Sequence, residues 1–414
     1  QNARATHRHH TQFSPTDIFF LRSVFIRVAN VNAAVLDTTM RDGAQSLPGK
    51  NQFPDHSKVA IADNIARLGV GIIEAGFPKT EGDAEEVQQV AETVGTTCYK
   101  VAQWEDSEAA RKVKRPPVIT GLCRATQKDI DVTWEAVSHA DRPRIHTFVS
   151  TDERHMKAKF PDMSPKQVRR LGRDAVQYAR EITNGHADAT VEFSAEAAST
   201  TDWRYLERVI KDAIYAGADV INLPDTVGQR SPSQMKTFYM EAIEWIMSQN
   251  SDVIISAHNH NDIDMATANT LSLIEAAAEQ ADIFGAPVNI QLETTICGLG
   301  ERAGNADVFP VEASLFKFAE EMPAKVRWEF NPKKSVRIAR NVMAYAGFEI
   351  PRQSPIVGPD TNVHRSGIHS DGIIKGGYKI YTPHDPTFWG HPFSARHEDG
   401  KYQGAKGRAA SKRR

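Results

Sequence analysis

Eight times between Ala33 and Thr294 a short apolar run gives way to a stretch with helical spacing. The runs are AAVLD (33–37), GIIEAG (71–76), PVITGLC (117–123), RIHTFVS (144–150), TVEFSAE (190–196), DVINLPD (219–225), DVIISAH (252–258) and VNIQLET (288–294). Between them lie stretches such as SKVAIADNIARLG (57–69), SPKQVRRLGRDAVQYAREI (164–182) and YLERVIKDAIYAG (205–217). Apolar residues there recur at three- and four-residue steps, and Gly69 and Gly217 sit where a helix would stop. Eight such units match an α/β (βα)8 barrel. An open doubly wound sheet would ordinarily have fewer strands and a phosphate loop after the first, and no such loop is visible.

The polar residues gather at the strand ends. The first run leads into Asp37-Thr38-Thr39-Met40-Arg41-Asp42-Gly43, and the second contains Glu74. The fourth carries His146, the fifth Ser194 and Glu196, and the sixth leads to Asp225-Thr226. The seventh ends in His258-Asn259-His260, and the eighth runs into a glycine-bracketed Glu301-Arg302 and Asn305. Side chains alternate along a strand, so His258 and His260 project the same way. An HxH pair alone is equally a pair of surface histidines beside a turn. Seven strands contributing to one rim argue for a site, and in this barrel sites are built at the C-terminal rim. Asp42, His258 and His260 offer one hard oxygen and two nitrogens, a set suited to Mg²⁺, Mn²⁺, Zn²⁺ or Fe²⁺ with positions left for substrate oxygens. Asn305 could add a carbonyl oxygen directly or through water. Arg41, taken to lie in an extended segment, points away from Asp42 and could face an oxygen on which charge develops. A metal and a guanidinium facing one carbonyl suit a 2-oxo acid, without distinguishing lyase, aldolase or synthase.

A net charge of −2 gives no electrostatic case for nucleic acid or an anionic membrane as partner, and no apolar run is long enough to span a bilayer. Cys98, Cys123 and Cys297 are odd in number and lack CxxC spacing, so they read as reduced thiols in an intracellular protein. Four segments are expected: a disordered extension (1–30), the catalytic barrel (31–322), a helical and loop-rich C-terminal subdomain (323–395) and a basic tail (396–414). The first carries Arg4, His7, Arg8, His9, His10, Arg22 and Arg27 against Asp17 alone. That bias would also suit an organellar transit peptide; otherwise the location expected is the cytoplasm. Beyond Pro323 the rhythm stops, and NPKKSVRIARNVMAYAGFEI (331–350) reads as one helix. In the Pro-, Gly- and His-rich remainder, His364, His369 and His384 show no recurring ligand spacing. Phe388-Trp389 reads as an exposed apolar pair that would pack on a neighbouring barrel in a homodimer.

LDTTMRDGAQ, HNHND and GLGERAGN, present in that order, resemble the motifs of the pyruvate-carboxyltransferase-type metallo-barrels. That family includes the isopropylmalate, homocitrate and citramalate synthases, with HMG-CoA lyase a more distant cousin. RPRIHTFVSTDERHMKAKF (142–160), VEFSAE (191–196), NLPDTVG (222–228) and HRSGIHSDGIIK (364–375) are most similar to the isopropylmalate synthases. The resemblance implies Asp42, His258 and His260 as metal ligands supported by Asn305, with Mg²⁺ or Mn²⁺, or alternatively Zn²⁺, as the ion. It implies that Arg41 stabilises an alkoxide, and that Gln45, His146, Ser194 and Thr226 bind substrate. Glu196 would take part in proton transfer, and His369 and Tyr381 would complete the site of a neighbouring chain. The implied reaction is a condensation of acetyl-CoA with 2-oxoisovalerate.

The chain departs from the family pattern in places. Ala44 stands where the synthases usually carry Glu, SLPGKNQF follows as an insert, and Ile263-Asp264 replaces a more usual glycine. These leave the metal set intact but loosen the choice of 2-oxo acid. A lyase reading would draw on Cys297, near the place of a lyase cysteine, although GERAGN after it fits the synthases better.

Overall fold

The computed structural model describes residues 29–49, 53–54 and 56–397. The expectations for the first 28 residues, and for the tail beyond His397, lie outside the described residues. In chain order the main strands are β1 (Asn30–Asp37), β2 (Ile72–Gly76), β3 (Tyr99–Glu105), β4 (Glu108–Arg115), β5 (Val118–Arg124) and β6 (Pro143–Ser150). They continue with β7 (Thr190–Glu196), β8 (Val220–Asn222), β9 (Ile254–His258), β10 (Val288–Thr294) and β11 (Lys325–Glu329). Strands β1, β2 and β5 to β10 are parallel neighbours, and β10 pairs back onto β1 with Ala33 beside Ile290 and Asp37 beside Thr294. This closes the eight-stranded barrel.

The helices cover the outside. They are α1 (Lys58–Leu68), α2 (Glu81–Thr93), α3 (Gln127–Val137), α4 (Glu153–Lys159), α5 (Pro165–Thr183), α6 (Trp203–Tyr215), α7 (Pro232–Gln249), α8 (Ala266–Phe284) and α9 (Val308–Phe318). Local chemistry sets their ends. At the start of α7, Ser231 accepts from the Gln234 N–H and Gln234 accepts in return from the Ser231 N–H, with Pro232 at the first helical position. Gly69 and Gly217, both at φ +103°, follow α1 and α6 where the chain must turn left-handed. The main core lies between strands and helices, where Ile73, Val191, Ile221, Ile255 and Leu292 meet Ile65, Val176, Ile210 and Leu273. Inside the barrel the apolar packing is a small cluster of Leu36, Ile72 and Val118. Buried polar side chains, among them Glu74, Arg144, Glu192 and Gln291, share that interior.

Three strands lie outside the eightfold rhythm. A hairpin, β3–β4, interrupts the rhythm between α2 and β5, and β11 joins it to the N-terminal end of β1. Strand β4 (EAARKVKR) is exposed along nearly its whole length, so it lacks the apolar alternation that marks a strand. Beyond the barrel, α10 (Ser335–Tyr345) is preceded by a short 3-10 turn and is shorter than the helix expected over 331–350. Its apolar positions Val336, Ile338, Ala339, Val342 and Met343 are all buried. Helix α11 (Gly367–Gly376) follows, and Val363–His364 pairs with Arg396–His397.

The pair Phe388-Trp389 corrects an expectation. Trp389 is 1% exposed, and the pair is covered by this chain's own aromatic residues. Phe316 lies 5.1 Å from Phe388 and 5.6 Å from Trp389 between ring centres, and Trp104 lies 6.0 Å from Phe388. The unforeseen hairpin supplies Trp104, and so part of the surface that shields an apolar pair expected to need a second subunit.

Candidate active site

The first rim loop is not extended. After Asp37 the chain winds into a wide helical turn, Thr39–Gly43, in which the N–H groups of Arg41, Asp42 and Gly43 all point to the Thr38 carbonyl. This turns Arg41 and Asp42 into the same region. Arg41 donates from Nε to Glu74 Oε2 at 2.6 Å, and its Nη1 lies 3.0 Å from Asp42 Oδ1. The expectation that Arg41 points away from Asp42 is therefore corrected, because it assumed a strand's alternation where the backbone is helical.

Strand β9 and its continuation bring His258 and His260 to Asp42. The two Nε2 atoms are 3.1 Å apart with the rings tilted by 77°, and His258 Nε2 is 3.8 Å from Asp42 Oδ2. Asn305 arrives from the loop after β10, which is laced to the β9 continuation through Ala306 N–H to Asn259 O and Asn261 N–H to Gly304 O. Its amide donates to Asp42 Oδ2 at 2.5 Å. Gly300 makes room for it, since a Cβ there would lie 2.5 Å from Asn305 Oδ1. Arg302, at φ +57°, holds this loop down by donating to both Asp262 oxygens and to the Thr226 carbonyl.

The donor set fits a divalent metal ion. Asp42, His258 and His260 are all buried, and one donor atom from each lies within 4.8 Å of the others. Burial, with Arg41 nearby, lowers His258 to about 4, and burial with His258 lowers His260 to about 3. Both rings are therefore neutral near pH 7, as ligands must be. Burial would raise Asp42, but the Arg41 guanidinium and the Asn305 amide help hold the carboxyl below its usual range. His260 Nδ1 and Asn305 Oδ1 are buried without a hydrogen-bond partner among the described residues. Buried polar atoms are rarely left so, and a coordinated ion would draw on this set.

Beside this centre runs a buried polar chain. Glu74 accepts from Thr38 Oγ1 at 2.5 Å and from Arg41, and its Oε1 lies 2.8 Å from His146 Nδ1. His146 Nε2 is 2.7 Å from Ser194 Oγ, which also accepts from Asn222 Nδ2 at 2.8 Å. Burial alone would neutralise His146, but Glu192, Glu74 and Glu293 outweigh it and raise its pKa to about 9. Burial would likewise raise Glu74, but Arg41, His146 and Thr38 hold it well below the carboxylate range. The pair is an imidazolium against a carboxylate. With His146 donating from both nitrogens, the Ser194 hydroxyl proton is free to point at a ligand.

The remaining expected residues fall elsewhere. Glu196 is taken up by Lys159 Nζ, at 2.5 and 2.7 Å, and by a short bond from Ser150 Oγ, so proton transfer would require it to release Lys159. Thr226 Oγ1 accepts from the Ala197 N–H at 2.9 Å, where Ala197 has a left-handed backbone. Gln45 is exposed and lines a cleft of about 630 Å³ with Arg41, Phe77, Lys58 and Lys79. His369 and Tyr381 stack on each other at 3.9 Å in the extension, and no hydrogen bond or ring contact joins them to the rim among the described residues. His364 lies 5.7 Å from His369, whereas His384 packs on Trp389, so the three histidines do not form one cluster. Cys297, at φ +56°, has its thiol pushed well above the ordinary range by burial and by Asp307. The sequence reading did not single out Asn222 or Glu293. The signal available for Glu293 was the polar pair Gln291 and Glu293 alternating with Ile290 and Leu292 in a buried strand.

Residues 32–319 match the HMGL-like family model. The 2-isopropylmalate synthase of Pyrococcus abyssi is 37% identical over 374 residues, covering 89% of this chain and 68% of that one. The chain belongs to the HMGL-like family, in the group of the 2-isopropylmalate synthases. The 2-isopropylmalate synthase of Halalkalibacterium halodurans is also 37% identical, over 353 residues, covering 84% of this chain and 60% of that one. The chain thus spans from about half to about two thirds of the length of the curated relatives it matches. Among solved structures, the HMG-CoA lyase of Pseudomonas aeruginosa superposes with a TM-score of 0.53 at 15% identity, over 79% of this chain and 97% of that one. That likeness shows the barrel fold alone. No helix among the described residues is long and apolar enough to cross a membrane.

Proposed function

We propose that this HMGL-like chain condenses acetyl-CoA with 2-oxoisovalerate and water to give 2-isopropylmalate and CoA. One carbon–carbon bond forms between the acetyl methyl carbon and the keto carbon, and the thioester is hydrolysed. The observation that carries the reading is the convergence of Arg41 on the Asp42–His258–His260 centre, in a chain similar throughout its barrel to 2-isopropylmalate synthases. Asp42, His258, His260 and Asn305 would hold the ion, a mixed nitrogen and oxygen set that suits Mg²⁺ or Mn²⁺ and, as the alternative, Zn²⁺. When bound, such an ion polarises a keto group as a Lewis acid. The chain's own groups do the rest. Arg41, fixed by Glu74, presents fixed positive charge where an alkoxide develops. His146, held protonated, donates to Ser194 Oγ and so leaves the Ser194 hydroxyl to donate the hydrogen bond that orients the 2-oxo acid.

His369 and Tyr381 are proposed to act on a partner chain's site in a homodimer. Both lie in a segment where Ile368, Ile374 and Ile380 are 72%, 51% and 52% exposed, an apolar surface that a second barrel would cover. The raised Cys297 thiol does not favour a lyase reading that needs a reactive cysteine. Free-thiol release measured with acetyl-CoA and, separately, 2-oxoisovalerate, pyruvate and 2-oxoglutarate tests the proposal. Turnover is expected with 2-oxoisovalerate and divalent metal. Turnover confined to pyruvate or 2-oxoglutarate would make it a citramalate or homocitrate synthase, and cleavage of HMG-CoA without condensation would overturn it.

A further inference from the structure

The floor of the site is a second layer of buried polar side chains that the proposed chemistry does not use. Arg144 donates to Thr190 Oγ1, Glu192 Oε2 and Gln291 Oε1 at 2.9, 2.9 and 2.6 Å. Gln291 donates in turn to Glu192 Oε1 at 2.7 Å and to Ser256 Oγ at 3.0 Å. Ser256 donates to Glu293 Oε1 at 3.3 Å. Glu293 therefore has one oxygen tied to the floor while the other, Oε2, faces upward, 2.9 Å from His258 Nδ1. That approach is too poorly aligned to be a hydrogen bond, and Oε2 is left buried with no hydrogen-bond partner among the described residues. Strand pairing fixes the juxtaposition, because Glu293 of β10 stands directly beside His258 of β9.

We infer that Glu293 is a positioning residue, which takes the Nδ1–H of His258 and so commits Nε2 of that ring to the metal. An imidazole has one donor and one acceptor nitrogen when neutral, and the partner of one decides what the other offers. A carboxyl oxygen that accepts behind the ring selects the tautomer whose lone pair faces the site, and outer partners of this kind set metal affinity. The orphaned Oε2 is the mark of the arrangement. A modest turn of the ring toward an ion would align Nδ1–H with it, satisfying a buried oxygen and a ligand together. Ser256, Gln291 and Arg144 keep Glu293 from turning away. This rests on the metal reading above.

The test is Mn²⁺ affinity by equilibrium dialysis and the visible spectrum of bound Co²⁺, in wild type, Glu293→Gln and Ser256→Ala. Gln keeps the shape but can present an N–H to Nδ1, favouring the opposite tautomer. Glu293→Gln is expected to weaken Mn²⁺ binding by about 10- to 100-fold and to shift the Co²⁺ bands, with a wild-type far-ultraviolet spectrum. Ser256→Ala, which leaves the carboxylate in place but loosens it, is expected to show a smaller loss and keeps the test open should the first variant not fold. Wild-type affinity and Co²⁺ bands in both variants would overturn the inference alone. A wild-type chain that binds no divalent cation would overturn the metal reading as well.

Discussion

Arg41 Nε donates to Glu74 Oε2 at 2.6 Å while Nη1 of the same guanidinium reaches Asp42 Oδ1 at 3.0 Å. One side chain, 11% exposed, thus joins the carboxylate of the candidate metal centre to the buried chain Glu74–His146–Ser194. A planar fork holds two carboxylates on separate nitrogens in fixed directions, whereas an ammonium is a single point charge on a flexible stem. Arg41→Lys is therefore expected to lower turnover by about 100-fold or more with little change in apparent acetyl-CoA affinity. Steady-state kinetics in both substrates check it, and a loss confined to KM would contradict the assignment.

His146 makes stability depend on pH in one direction. Its pKa is about 9 in the fold against the ordinary 6.5 of a free imidazole, so the folded state binds its proton more tightly. The stability this contributes is complete below about pH 6.5 and is lost as pH rises through about 9. Denaturant midpoints from pH 6 to 10 should show wild type losing its advantage over His146→Gln along that span. Parallel curves would contradict the charged pair with Glu74.

Trp389 anchors the C-terminal extension to the barrel it follows. It is wholly enclosed by Phe316, Phe330 and Phe388. Trp389→Ala should cost about 3–5 kcal/mol and open the segment around it to limited proteolysis. An unchanged melting temperature would show that the extension is held elsewhere.

Sharing of sites between chains is open to a mixing experiment. Asp42→Asn removes a candidate metal ligand, and His369→Ala removes a residue proposed to serve a partner. Each variant alone should be inactive, and refolding them together should restore a fraction of wild-type turnover. Mixtures as inactive as the separate variants would mean that His369 does not act across an interface.

The barrel was legible because each of its strands is a compact apolar run, so β10 was located to the residue from VNIQLET. The residues that converge on Asp42 were legible as chemistry-bearing strand ends. What escaped were features whose partners are distant in sequence. Strand β4 is a solvated edge with no apolar face, and it declares itself only through pairing with β3. Phe388-Trp389 looked exposed because its cover, Trp104, lies on that same unsuspected hairpin. The engagement of Glu196, expected to take part in proton transfer, escaped because Lys159 sits on a short helix beyond a different strand. Arg41 was misdirected by assuming strand geometry past Asp37, where the backbone winds.

The most direct measurement is anomalous scattering from a crystal soaked in Mn²⁺. A single ion is expected in coordination contact with Asp42, His258 Nε2 and His260, on the face toward which Arg41 is turned. An ion elsewhere, with Asp42 out of reach of it, would contradict the assignment of this rim as a metal-assisted condensation site.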